Sequence, residues 1–156
     1  MVVRTNNELK NQVKNIFIEK WNTDFMISKS QIHYVDNLES FVYMKENEIK
    51  GLLTFYIKED EMEIVSLDSF EENIGIGSLL INEAINYYKQ NFLKRLWLIT
   101  TNDNLNALKF YQKKNFNISE FHFNAIEKSR KLKPSIPKYG YDNIPILHEI
   151  ELQYNN

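Results

Sequence analysis

Gly75 and Gly77 stand one residue apart in the stretch Glu72-Asn73-Ile74-Gly75-Ile76-Gly77, and they are two of only four glycines in the chain. An apolar run from Met62 to Phe70 precedes them and reads as a strand, and the segment from Ser78 to about Gln90 reads as a helix. Glycines at a strand-to-helix turn let the backbone approach a ligand closely and adopt φ values closed to other residues. The first N–H groups of the helix lack partners within it and form an anion site. A phosphate or pyrophosphate is the first ligand to consider, and a tight turn that holds nothing is the alternative. Carboxylates supply the other chemistry-bearing groups. Glu61 and Glu63 share one face of the strand before the turn, and Glu149 and Glu151 share one face of the alternating run Ile146 to Leu152.

These groups need a scaffold, and most of it shows in the hydrophobic pattern. Thr5-Asn6-Asn7-Glu8 has the form of a capping box with Thr5 as N-cap. Leu9, Val13, Ile16, Phe17 and Trp21 follow at helical spacing. Ile32 and Tyr34 suggest a strand, with His33 between them in a packing or surface role. Ser40 to Lys45 and Ile49 to Lys58 read as strands joined by a turn at Glu46-Asn47-Glu48. Gly51 in the second of these marks a bulge or a close backbone contact. After a turn at Glu59-Asp60-Glu61 the strand Met62 to Leu67 returns, so the first half is a helix followed by an antiparallel meander.

The second half changes character. Leu96-Trp97-Leu98-Ile99 within Leu93 to Thr101 suits a strand covered on both faces. Asn102-Asp103-Asn104 offers several N-caps for a helix carrying Leu105, Leu108 and Tyr111. Asn115 is a suitable left-handed stop, and Phe116 to Phe123 reads as a strand. Strand, turn, helix, strand and helix in that order imply a central parallel pair. Lys128 to Lys133 is a basic run, and all three prolines, Pro134, Pro137 and Pro145, lie beyond it. That segment reads as one long stiffened loop, solvated or binding, before a final strand at Ile146 to Leu152.

Composition sets bounds on function. At 156 residues the chain reads as a single domain, 1–156, with a real core. A formal net charge of -2 argues against general nucleic-acid binding. The absence of cysteine excludes disulfides, cysteine-ligated zinc and a cysteine nucleophile. No apolar run approaches the roughly 18 residues of a membrane span, and the N-terminal residues lack the apolar core of a signal peptide. A cytoplasmic protein with no membrane association is the expectation.

The sequence resembles the GNAT (Gcn5-related) N-acetyltransferase superfamily. The superfamily motif Gln/Arg-x-x-Gly-x-Gly/Ala is matched by Glu72 to Gly77. A second signature, Asn-x-x-Ala-x-x-Phe-Tyr-x-x-x-Gly-Phe, is matched by Asn104-Leu105-Asn106-Ala107-Leu108-Lys109-Phe110-Tyr111-Gln112-Lys113-Lys114-Asn115-Phe116. The two motifs cover roughly Ile49 to Phe123, and the element order matches over nearly the whole chain. Glu72 departs from the usual Gln or Arg, so its side chain should turn away from a pyrophosphate that repels it. Asn115 replaces the usual Gly, which fits the left-handed stop.

The resemblance implies an α/β (α+β) GNAT fold: a mixed central sheet of about six to seven strands with a splayed parallel pair, flanked by about four helices. It implies an N-acetyltransferase that moves an acetyl group from acetyl-CoA to a primary amine by direct attack, without a metal. A non-catalytic acyl-CoA-binding module of the same fold is the alternative. Backbone groups near Leu67 and Ser69 would pair with the pantetheine arm. N–H groups of Glu72, Asn73, Ile74, Gly75, Ile76, Gly77 and Ser78 would hold the pyrophosphate, and Asn104 and Ala107 would face the cofactor. Asn104 could equally serve as a helix cap. Tyr111 stands at the position of the general acid, since a phenol with pKa near 10 can protonate a departing thiolate; a core aromatic is the other reading. Glu63 or Glu61 could take the amine proton, or either could be a solvated hairpin carboxylate. Glu149 and Glu151 could bind a cationic amine, although surface exposure is the simpler reading. The partner is a small-molecule or peptide amine, and a homodimer is a candidate assembly.

Overall fold

The structure, a computed structural model, describes residues 1–155. Nine strands and four α-helices follow one another as β1 (Val2–Arg4), α1 (Asn7–Trp21), β2 (Phe25–Ser28), β3 (Gln31–Tyr34), β4 (Glu39–Lys45), β5 (Glu48–Lys58), β6 (Glu61–Ser69), α2 (Ile76–Gln90), β7 (Arg95–Thr101), α3 (Leu105–Gln112), β8 (Phe116–His122), α4 (Ala125–Leu132) and β9 (Glu149–Tyr154). Seven strands form one mixed sheet in the order β1-β4-β5-β6-β7-β9-β8, with β6 and β7 parallel, and β2 and β3 form a separate two-stranded sheet. Two compact units divide the chain: Met1–Met26 with His33–Leu96, and Ile27–Ile32 with Trp97–Asn156.

In the first unit the meander β4–β5–β6 is antiparallel throughout. Glu46 and Asn47 take positive φ in the hairpin between β4 and β5, as a two-residue turn of the primed type requires. One face of the meander packs α1: Val42 and Leu52 meet Val13, while Phe17 of α1 joins Val35, Leu38, Tyr56 and Val65. The opposite face packs α2, where Phe41 stacks on Phe55 and Tyr87 meets both rings at an angle. Gly51 is required there because a Cβ at this position would meet Ile76 Cγ2. The β4–β5 register also shifts at Tyr43/Met44, opposite the Gly51 end of β5, so both expectations for this glycine hold. A second shift, between Thr54 and Phe55, leaves Val65 as an extra residue on β6. Such a bulge re-aims the side chains on either side of it.

Several elements differ from the sequence reading. The N-cap of α1 is Asn6, whose Oδ1 accepts from the backbone N–H groups of Glu8 and Leu9, both at 3.1 Å. The hydroxyl of Thr5 is taken instead by Ser40, 2.7 Å away. Strand β1 was not anticipated; its three residues pair with β4 across a long sequence gap. The basic run is helical, not a loop: α4 buries Ile126 and Ser129 and leaves Lys128 and Lys131 exposed. Among the described residues no helix is long and apolar enough to cross a membrane.

Asp68 on β6 shows a cost built into this unit. Burial pushes its carboxyl above the usual range, and the charge of Lys20 and the indole N–H of Trp21 offset part of that. A carboxyl with a raised folded-state pKa favours the fold when protonated, so its contribution declines as pH rises from near 3.9 through the raised value. Asp68→Asn should therefore raise the thermal midpoint at pH 7 and give no gain near pH 3. A lower midpoint at pH 7 would show that the ionised form is stabilising.

Candidate active site

Strand β6 leads into the glycine turn. Leu67 lies opposite Leu53 and Ser69 opposite Gly51 in the β5 ladder, and Ser69 Oγ donates to Glu71 O at 2.8 Å. Glu72, Asn73, Ile74 and Gly75 are exposed. Asn73 and Gly75 both have positive φ, 64° and 71°. Gly75 is the N-cap of α2 and brings no side chain to cap it. A Cβ at Gly75 would meet nothing within 4 Å, so the backbone stands open to whatever approaches. Ile76 turns inward to the core, and Gly77 and Ser78 form the first turn of α2, where N–H groups have no intrahelical acceptor. The outward side chain of Glu72 adds no positive charge, so anion attraction here rests on backbone donors and the helix dipole.

The two carboxylates at the start of β6 differ sharply. Glu61 is about half exposed, 47%, with its carboxylate 3.8 Å from Arg95. Glu63 is 4% exposed, and its Oε2 lies 3.3 Å from Nε2 of His33, itself 3% exposed. His33 is thus neither a surface group nor a lone packing residue. Its ring also leans on Tyr56, centroids 5.2 Å apart.

In the second unit Asn104 caps α3, its Oδ1 accepting from Ala107 N at 3.1 Å. The capping role leaves the amide nitrogen as the group that can donate to a ligand. Tyr111 is 8% exposed, with its ring edge-on to Phe110 and Phe116. Asn102 and Asp103, which looked like alternative caps, secure the proline-bearing segment. Asn102 Oδ1 accepts from Leu147 N and His148 N, each at 3.0 Å, and its Nδ2 donates to Pro145 O. Asp103, 2% exposed, accepts from Tyr141 N at 3.1 Å. Arg130 of α4 donates to the carbonyls of Pro137 and Ile146, which commits one member of the basic run to structure.

The reading of Glu149 and Glu151 as surface residues is overturned: they are 2% and 1% exposed. Strand β9 lies between β7 and β8, and a turn carrying Lys29 and Ser30 covers this face. The backbone N–H of Lys29 donates to Glu149 Oε2 at 3.1 Å, and its ammonium stands 3.0 Å from Glu151 Oε1 and 5.1 Å from the centre of the Trp97 ring. His122 Nε2 is also 3.0 Å from Glu151 Oε1. Glu120, His122 and Glu151 have the spacing of a cation site, but the Lys29 ammonium already supplies positive charge at the same oxygen. Lys29→Met should lower stability by about 1–3 kcal/mol in urea titration. That is below the roughly 3–5 kcal/mol of a fully buried broken pair, because the Lys29 side chain is 38% exposed. An unchanged midpoint would show that the Lys29 ammonium adds nothing to the stability of the buried Glu151 carboxylate.

Structural comparison places this fold among known acetyltransferases. A GNAT family acetyltransferase from Elizabethkingia anophelis, solved with acetyl-CoA bound, superposes with TM-score 0.73 at 20% identity over 100% of this chain and 97% of that one. A Bacillus subtilis acetyltransferase in complex with CoA gives TM-score 0.69 at 17% identity, over 99% of this chain and 97% of that one. At the level of sequence, the Acetyltransferase (GNAT) family model matches residues 6–116. YxbD of Bacillus subtilis (strain 168) is 40% identical over 144 residues, 92% of this chain and 91% of the relative. YdhI of the same organism is 40% identical over 152 residues, 96% of this chain and 95% of the relative. The chain belongs to the GNAT acetyltransferase family.

Proposed function

We propose that the protein transfers an acetyl group from acetyl-CoA to a primary amine of a small molecule or peptide, with residues 1–156 serving as one transferase domain in the cytoplasm. The observation that carries this reading is the open backbone at Gly75, at the head of α2 and within the residues that the family model matches. The N–H groups from Asn73 to Ser78 bind the pyrophosphate, and main-chain groups of Leu67 and Ser69 align the pantetheine arm. Asn104 and Ala107 contact the cofactor from the start of α3. The amine nitrogen attacks the thioester carbon, the C–N bond forms and the C–S bond breaks. Tyr111 donates its phenolic proton to the departing sulfur, and a carboxylate on β6 takes the proton from the amine. Glu63 suits that role better than Glu61, because a buried carboxylate held at a fixed contact is preorganised while an exposed one is not.

Titration calorimetry with acetyl-CoA, ATP and NAD, together with thiol release across a panel of diamines, amino sugars, amino-acid amides and short peptides, tests the reading. Acetyl-CoA binding with turnover of at least one amine is expected. Binding without turnover over the whole panel would favour an acyl-CoA-binding module instead. Binding of ATP or NAD in place of acetyl-CoA would overturn the assignment.

A further inference from the structure

His33 and Glu63 form a buried polar pair beside an apolar cluster. Phe17, Val35 and Leu38 form the adjoining core cluster, with Trp21, Met26, Tyr56 and Val65 packed against it. Taking two ionisable groups out of water is costly, and well-packed apolar residues of similar volume are often as stable or more so. Stability alone therefore gives little reason for this pair. Its place on β6 gives a better one. The glycine turn lies beyond the C-terminal end of β6, and Leu67 and Ser69 occupy the last part of the strand. A cofactor arm running back along β6 from a pyrophosphate at that turn carries its thioester toward the N-terminal half of the strand. Glu63 is four residues before Leu67, roughly 13 Å along an extended chain. The Val65 bulge falls between them and re-aims the strand at this point.

We propose that His33 is a positioning residue: it fixes Glu63 as the group that accepts the proton of the attacking amine. This rests on the acetyltransfer reading above. Oε2 of Glu63 stands 3.3 Å from Nε2 of the imidazole, a close polar contact without hydrogen-bond geometry, and the ring packs against Tyr56 with centroids 5.2 Å apart. The amine proton passes to the Glu63 carboxylate as the C–N bond forms. His33 exchanges no proton in the step, and Glu63 returns the proton to solvent after product leaves. The segment Gln31–Tyr34, which carries His33 as β3, thereby contributes to chemistry carried on a strand some 30 residues later.

A double-mutant cycle tests this, with acetyl-CoA and whichever amine of the panel the wild type acetylates. Glu63→Gln should lower kcat by about 100-fold or more while acetyl-CoA affinity stays within about threefold. His33→Leu should lower kcat by a similar factor, and His33→Gln, which keeps an N–H donor, should recover most of it. His33→Leu leaves a buried carboxylate without its imidazole, so it is also placed in the Glu63→Gln background, where no such charge remains. There it should change kcat by less than about threefold, because two groups acting as one unit are strongly non-additive. Independent, multiplying effects in the double variant would overturn the positioning role, as would wild-type turnover in folded His33→Leu. If the wild type binds no acetyl-CoA, the transferase reading fails and this inference fails with it; the cycle fails separately only in a protein that binds and turns over.

Discussion

Gly75→Glu should abolish measurable acetyl-CoA binding while leaving the fold intact. The substitution places a carboxylate where backbone N–H groups are proposed to meet a pyrophosphate. A unit charge about 5 Å from another costs roughly 1–3 kcal/mol at effective dielectric constants between 80 and 20, and the pyrophosphate carries more than one. Steric exclusion adds to this, because in the proposed site the main chain itself touches the ligand. Together the two effects should weaken binding at least about 1,000-fold. The folded state bears a smaller burden. A Cβ at this position meets no atom within 4 Å, so the penalty is the left-handed conformation, φ 71°, on the order of 1 kcal/mol. Asn73 already adopts such a φ two residues earlier. Gly75→Ala separates the contributions: it carries the conformational cost without the charge and should lose about tenfold in affinity. In 1 M salt, where the screening length falls to about 3 Å, Gly75→Glu should recover only the electrostatic part of its loss. Calorimetry, with circular dichroism as the folding control, reads all three. Wild-type affinity in a folded Gly75→Glu protein would remove the glycine turn from the cofactor site.

The parts of the molecule that were legible in the sequence are those fixed by local pattern. Helices α1, α2 and α3 follow from 3.6-residue periodicity, and the meander follows from short β-rich runs separated by turn residues. Asn115 takes the left-handed conformation, φ 66°, as its place after α3 suggested. What escaped was decided by partners far away in the chain. Strand β1 has three residues and no pattern of its own; it exists because β4 offers an open edge. Helix α4 was hidden because a run of charges suggested a solvated loop, although Lys and Arg are good helix formers and Ile126 and Ser129 supply the inward face.

The same distinction runs through the functional residues. Alternation correctly put Glu149 and Glu151 on one face, but it could not show that the face is covered. The residue that meets both, Lys29, lies 120 residues before Glu149: its backbone N–H donates to Glu149 and its ammonium pairs with Glu151, on a turn whose only local signal is two polar residues, Lys29 and Ser30. His33 was equally opaque, since a histidine between Ile32 and Tyr34 acquires meaning only when Glu63 is brought to 3.3 Å. Asn102, Asp103 and Asn104 illustrate a subtler limit. Cap propensity applies to all three, yet one caps α3 and the other two hold backbone from residues 141 to 148. Residue type announced polar work at these positions, and tertiary structure divided it among them.

Tyr111→Phe should lower turnover by about 100- to 10,000-fold, the usual contribution of a positioned general acid, or about 3–5 kcal/mol of barrier. The alternative is that Tyr111 is a core aromatic, and the structure makes the two roles separable. Its ring sits against Phe110 at 5.2 Å and Phe116 at 5.6 Å and is 8% exposed, so phenylalanine preserves the packing. Removing the hydroxyl costs the fold only about 1 kcal/mol, as one hydrogen bond does. A packing role therefore predicts a small shift in the thermal midpoint and nearly unchanged kcat. An acid role predicts the same small shift with a collapse in kcat, while acetyl-CoA affinity changes by less than about threefold. The loss should fall on kcat and on kcat/KM together, because protonation of sulfur matters only in the transition state. Tyr111→Leu is the complementary variant: it removes both ring and hydroxyl, and the packing loss should add about 2–4 kcal/mol of destabilisation. Undiminished turnover in Tyr111→Phe would assign the proton to solvent and leave Tyr111 as part of the core that sets α3 against β8.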